Sequence, residues 1–196
     1  MKPSVDAPEY PFQTLPDLLV PALDVVFVGI NPSLYSVEYG HYFARAANRF
    51  WMALSCSKLS ERARRALAVD VLRPEHDTEL PHFGIGFSDV IKRPTANVSE
   101  LNSAEFEAAV PQLLAKLHQY EPRVACFHGL TGYRPFKRVV IGSATLPALG
   151  VQPECVGSTR LYVVPNPSGA NAHFTRAEQA MWYDRLADFI SEIQKS

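Results

Sequence analysis

At 196 residues, with 47% apolar and 20% charged, the chain has ordinary globular composition, which excludes disordered and fibrous classes and leaves room for one well-buried domain. The formal net charge of −1 neither selects nor excludes a nucleic-acid partner, because a local basic patch can carry phosphate contacts on a neutral protein. The scattered Cys56, Cys126 and Cys155 form no CxxC pair; they argue against a disulfide framework or a structural zinc site and exclude a four-cysteine iron–sulfur cluster.

Residues 1–15 read as an extended, Pro-rich arm, with residues 16–196 as a single domain. No apolar run approaches the roughly 18–20 residues of a membrane span, and the first residues lack signal-peptide order, so the expected location is the cytoplasm. Leu15 to Val20 is a short helical or irregular lead-in. Leu23 to Ile30 follows as a near-continuous apolar, β-branched run, the pattern of a strand covered on both faces. It stops at Asn31-Pro32, because Pro32 cannot donate to a ladder and restricts the residue before it.

Asn48 to Ser55 and Leu59 to Val71 have helical spacing, the second with Arg62, Arg64 and Arg65 on its polar side. Phe83 to Ile91 predicts a strand running into a loop. Ser103 to Tyr120 predicts an amphipathic helix with Ser103 as N-cap and a kink or break at Pro111. Two further short strands are predicted at Arg123–Phe127 and Arg160–Val164, and a closing helix at Thr175–Ile193. Strands alternating with helices imply an α/β fold, three layers built around a mainly parallel sheet of about four strands.

In open α/β sheets the ligand binds beyond the carboxyl ends of the strands. Two segments of like composition stand there: Gly29-Ile30-Asn31-Pro32-Ser33 after the first strand and Pro165-Asn166-Pro167-Ser168-Gly169 after the last. Either alone reads as ordinary turn chemistry; the pair points to a site. There is no Walker loop, dinucleotide fingerprint or Gly-x-Ser-x-Gly elbow, and the six histidines show no metal-ligand spacing.

Gly29-Ile30-Asn31-Pro32, Phe43 and Ala47-Asn48-Arg49-Phe50-Trp51 together resemble the first active-site motif of the mismatch-specific uracil-DNA glycosylase and thymine-DNA glycosylase family. Gly84 to Thr95 is similar to that family's middle block, and Asn166-Pro167-Ser168-Gly169 to its DNA-penetrating loop. The resemblance implies a monomeric repair enzyme without cofactor, metal or iron–sulfur cluster. Such an enzyme flips uracil, or a related mismatched or damaged base, out of DNA and hydrolyses the N-glycosidic bond.

By that resemblance Asn31 holds the attacking water and Phe43 is the platform on which the free base stacks, although Phe43 also reads as plain core. Gly29, Ile30 and Asn48 are implied around the base, and Ser36 near C5 of the pyrimidine; a solvent-facing loop serine is the other reading of Ser36. Ser33 replaces the usual family glycine. Asp89 departs from relatives with Lys or Asn: it reads either as a carboxylate acting on water or sugar, or as a helix cap or partner of Lys92 or Arg93.

The loop Asn166 to His173, with Ala170 and Asn171, lacks the bulky wedge of relatives. Arg45 and Arg49 are the first candidates for phosphate contacts, followed by Arg134, Lys137, Arg138 and Arg176. The competing class is a catalytically idle α/β module that binds nucleic acid or a nucleotide in the same cleft, and a small-molecule hydrolase ranks last.

Overall fold

The structure, a computed structural model, describes residues 10–142, 146–169, 171 and 173–195. Its core is a five-stranded sheet in the order β2-β1-β3-β5-β4. Strands β1 (Val25–Gly29), β2 (Ile85–Asp89), β3 (Val124–His128) and β5 (Thr159–Val164) are parallel to their neighbours, and β4 (Gly150–Val156) pairs antiparallel with β5. The four expected strands are present. The fifth, β4, escapes sequence reading because Pro153 interrupts it, which an edge strand tolerates and a central one does not.

Every residue of β1, β2 and β3 is buried; β1 and β3 carry apolar side chains on both faces, and β2 on one, through Ile85 and Phe87. Val25, Phe27, Val124, Cys126, Tyr162 and Val164 pack on one side, against α2 (Phe50–Ser55), α3 (Glu61–Leu67) and α6 (Arg176–Ile193). Val26, Val28, Ala125, Phe127, Leu161 and Val163 pack on the other, against α4 (Ser103–Tyr120) and α5 (Leu130–Ile141). Phe27 is the hub of the first layer, with Phe50, Phe87, His128 and Tyr183 within 6.1 Å by ring centroids. Truncating a fully buried phenylalanine costs about 3–5 kcal/mol, so Phe27→Ala removes much of the domain's stability.

Three local expectations are corrected. The N-cap of α4 is Asn102 rather than Ser103: Asn102 Oδ1 accepts from Glu105 N–H while Glu105 Oε2 accepts from Asn102 N–H. Pro111 does not break α4, because both it and Glu107, whose carbonyl loses its donor, are exposed and water can satisfy the carbonyl. The helix expected over Leu59–Val71 is shorter, a 3₁₀ turn at Lys58–Ser60 and then α3, which ends at the left-handed Ala68 (φ 53°).

Helices α1 (Leu34–Tyr39) and α5 are additions to the expected elements. Gly132 and Pro135 obscure α5 in the sequence. A Cβ on Gly132 would meet Ile30 Cγ1 at 3.1 Å, so the glycine lets α5 lie close over the end of β1. Of the expected N-terminal arm, residues 1–9 lie outside the described residues. Thr14 and Leu15 belong to the body of the domain: Thr14 Oγ1 donates to the Lys92 carbonyl and Leu15 is buried. No helix among the described residues is long and apolar enough to cross a membrane.

Candidate active site

The parallel strands end along one edge of the sheet, and a cavity of about 430 Å³ opens there. Its volume lies in the range of small-ligand pockets. Gly29 at the end of β1 and Ile30 to Ser33 after it, Asp89 at the end of β2, His128 at the end of β3 and Asn166 after β5 all line it, joined by Ser36, Phe43, Arg45 and Asn48. The connection from β1 leads to β2 on one side and that from β3 leads to β4 on the other, so the cavity sits where strand order diverges.

Asn31 is held in one orientation. Its Nδ2 donates to the Arg93 carbonyl at 2.9 Å, to Thr95 Oγ1 at 2.8 Å and to the Pro32 carbonyl at 3.2 Å. Carbonyls only accept, so the amide nitrogen must face them and Oδ1 is left as the acceptor. The Thr95 that helps to hold it is buried and fixed by the backbone, its N–H bonding the Pro32 carbonyl and its own carbonyl accepting from Leu34 N–H.

Asp89 is 4% exposed, and its Oδ2 has no hydrogen-bond partner among the described residues. Burial pushes its carboxyl up to about 7; Lys92 and Lys116 pull it down and Asp17 pushes it further up. It is neither a helix cap nor the salt-bridge partner of Lys92 or Arg93, which pair with Asp17 and Glu105. An unpaired buried carboxylate that ionises near neutrality in a cavity is the combination that marks a reactive group.

Phe43 is half-buried and has a left-handed backbone, φ 52°, which costs a bulky residue about 1–2 kcal/mol. Its surroundings hold it there. Asp77, 1% exposed, accepts from Tyr42 N–H at 2.8 Å and pairs with His41 Nδ1 at 3.0 Å, while Trp51 Nε1 donates to the Tyr42 carbonyl. The Phe43 ring stacks on Phe50 at 4.3 Å and meets His128 edge-on at 5.1 Å. Phe43 is therefore both a core residue and a cavity wall.

Ser36 is buried in the first turn of α1 rather than solvent-facing. Ser33 caps that helix, accepting from Ser36 N–H and donating to Ser36 Oγ at 3.0 Å, which gives the serine in the glycine position a local structural role. Asn48 lines the cavity, but its Oδ1 accepts from the N–H of Phe50, the first residue of α2.

The loop after β5 is braced from inside. Asn166 Oδ1 accepts from Ser168 N–H, Asn171 Nδ2 donates to the Asn166 carbonyl, and Asn171 Oδ1 accepts from His173 N–H. Pro167 is buried and its carbonyl accepts from Arg49 N–H; Gly169 passes so close to Ala47 that a Cβ would meet the Ala47 carbonyl at 2.7 Å. Ala170 lies outside the described residues.

Arg49 donates to the Phe174 carbonyl and so clamps this loop. Arg45 is exposed at the cavity rim, 5.9 Å above the Tyr35 ring. Lys137 is buried against Glu154 at 2.9 Å, tying α5 to β4, and Arg138 faces Glu107; buried and paired, Lys137 is corrected as a phosphate candidate. Arg134 and Arg176 are exposed.

His128 carries no site signal in the sequence. It is 3% exposed, lines the cavity, and burial holds its imidazole down at about 3, hence neutral. Its Nε2 lies 3.0 Å from the Tyr183 hydroxyl, and Nδ1 has no partner among the described residues. Gln179 Nε2 donates to the Pro165 carbonyl and to the Tyr183 oxygen. The tyrosine proton is then directed to His128 Nε2, which leaves the imidazole proton on Nδ1. Nothing in the sequence joins positions 128, 179 and 183; only the fold does. Among the described residues no cluster of three His, Cys, Asp or Glu side chains is arranged to hold a metal ion.

Fold and cavity thus define a three-layer α/β protein with its site at the carboxyl edge of a central parallel sheet. The family model of the Uracil DNA glycosylase superfamily matches residues 16–190, and the chain belongs to that superfamily. Among solved structures, one similar to it is the solution NMR structure of a candidate uracil DNA glycosylase from Methanosarcina acetivorans. The identity is 21% and the TM-score 0.53, over 89% of this chain and 98% of that one. At that identity the likeness concerns the fold.

Proposed function

We propose that the protein is a monofunctional DNA glycosylase of the mismatch-specific uracil and thymine type, hydrolysing the N-glycosidic bond of uracil turned out of DNA. The observation that carries this reading is the joint placement of the fixed Asn31 amide and the unpaired Asp89 carboxyl in one cavity walled by Phe43. A base in duplex DNA must leave the stack before its C1′–N bond can be reached, at a cost of a few kcal/mol. Stacking on Phe43, worth about 1–3 kcal/mol, offsets part of that cost.

In the reaction the C1′–N1 bond breaks and its electron pair departs with the uracil anion. Water held by Asn31 Oδ1 forms the new C1′–O bond, and ionised Asp89 accepts its proton. The same carboxylate opposes the positive charge that develops on the sugar. Backbone N–H groups around Ile30 and Phe43 face the departing base. The His128 Nδ1–H supplies a neutral donor for a carbonyl on the base edge, and Ser36 crowds C5, where a thymine methyl would sit; a discrimination of this kind is worth about 1–3 kcal/mol. Gly29 and Asn48 shape the wall.

Asn166, Pro167, Ser168, Gly169, Ala170 and Asn171 form the segment that enters the duplex, and Arg45 meets a phosphate at the rim. Arg49 acts on DNA through the loop that it clamps. Residues 16–196 form the catalytic unit, working as a monomer.

The test is single-turnover incubation with labelled duplexes carrying one G·U, G·T or ethenocytosine site, followed by alkaline cleavage at abasic sites. Alkali-labile product from the G·U duplex is expected. Binding of that duplex without product would make the protein a binding module.

A further inference from the structure

The lead-in before β1 brings charge to the edge strand that ends in Asp89. Asp17 Oδ1 accepts from Lys92 Nζ and Ser88 Oγ, both at 2.9 Å, and Asp17 Oδ2 lies 2.5 Å from Lys116 Nζ. The lysine side chains are only 4% and 14% exposed. Lys92 follows β2, Lys116 comes from α4 and Asp17 from the lead-in, so three separate elements meet here. Burial opposes ionisation of Asp17, but the two lysines outweigh it and hold its carboxyl below the usual range.

Two lysines sharing one carboxylate leave one positive charge uncompensated, and no second carboxylate among the described residues pairs with either. Asp89, next to Ser88 in the strand, is the remaining buried acid within their field. The other titratable groups facing it, the Tyr42 phenol and the His128 imidazole, are both uncharged at neutral pH. Unpaired buried charge is costly, and an ionised Asp89 makes the four-residue group neutral.

We propose that Lys92 and Lys116, anchored by Asp17, are positioning residues that favour the ionised form of Asp89, so that the lead-in segment controls how much of the protein is competent for water activation. The proposal rests on the reading of Asp89 as the group that accepts the water's proton. Neither lysine touches the substrate; each acts through the field at Asp89.

The experiment pairs a carboxyl-carbon NMR titration of Asp89 with the pH profile of single-turnover cleavage, in wild type, Lys92→Met, Lys116→Met and Asp89→Asn. Lys116→Met, the more exposed change, guards against a folding failure of Lys92→Met. Both lysine variants are expected to move the Asp89 midpoint and the acid limb of the rate upward together. On that limb the activity drops about three- to ten-fold, while the rate at high pH stays within two-fold. A uniform rate loss at every pH with an unmoved midpoint would assign the lysines to structure and overturn the proposal. Full activity in Asp89→Asn would instead overturn the catalytic reading of Asp89, an outcome distinct from an unmoved midpoint.

Discussion

Gly29 and Asp89 stand opposite each other in the β1–β2 ladder, and a Cβ on Gly29 would lie 2.3 Å from Asp89 Oδ1. The carboxyl occupies the space that any larger residue at position 29 would fill.

Gly29→Ala is therefore expected to displace the Asp89 carboxyl while leaving β1 paired, since nothing in the Gly29 backbone requires a positive φ. If Asp89 accepts the water's proton, single-turnover cleavage falls by about 10²-fold. Cleavage at the wild-type rate would show that the carboxyl can move without consequence.

Asn31→Ala removes the water's acceptor and should nearly abolish cleavage while lesion-DNA binding survives. Asn31→Asp is the sharper variant, because it turns an oxygen toward the Arg93 carbonyl, which can only accept. Loss of rate comparable to Asn31→Ala is expected, and retention of activity within a few-fold would remove Asn31 from the mechanism. Thr95→Val, which frees one side of the amide, should give an intermediate loss.

Asp89 links activity to stability with opposite signs. Its carboxyl titrates at about 7 in the folded protein against about 4 when unfolded, so the folded state binds the proton more tightly. The penalty for ionising it is absent below about pH 4, grows between about 4 and 7, and is complete above that. Asp89→Asn is expected to be more stable than wild type at pH 8, by up to a few kcal/mol, and no more stable at pH 4. Paired thermal melts at the two values check this. The wild-type rate is expected to decline as pH falls through about 7. A melting difference that is the same at both pH values would place the carboxyl in water.

Phe43→Ala is expected to weaken lesion-DNA binding by about 1–3 kcal/mol. The stack on Phe50 means that it also costs stability, so the comparison needs Phe43→Leu, which restores bulk without a π-face. Binding lost in both variants and melting lost only in Phe43→Ala separates platform from packing. Full lesion affinity in Phe43→Leu would assign the ring to the core alone.

The legible parts of the sequence are those whose physics is local. Val25 to Gly29 reads as a buried strand because each residue is apolar and both faces are covered, and α4 and α6 read as helices because their stripes repeat every three to four residues. Strand β4 and helix α5 do not read, because Pro153, Gly132 and Pro135 contradict local propensity and are tolerated for reasons of edge position and close approach to Ile30. Asn31 and Asp89 are legible as polar residues at strand ends, and Phe43 only through the family resemblance; His128, Thr95 and Asp77 are not legible, since each depends on a partner remote in the chain.

By itself the sequence determined the α/β class, the strand ends where a site must lie, and the Asn-Pro motifs there, all consequences of periodicity and backbone restriction within a few residues. Only the tertiary structure decided the state of the groups. The Asn31 amide faces one way because the Arg93 and Pro32 carbonyls can accept and never donate. The Asp89 carboxyl rises toward neutrality because burial removes its water. Orientation and ionisation depend on neighbours and solvent in space, and no local pattern encodes them.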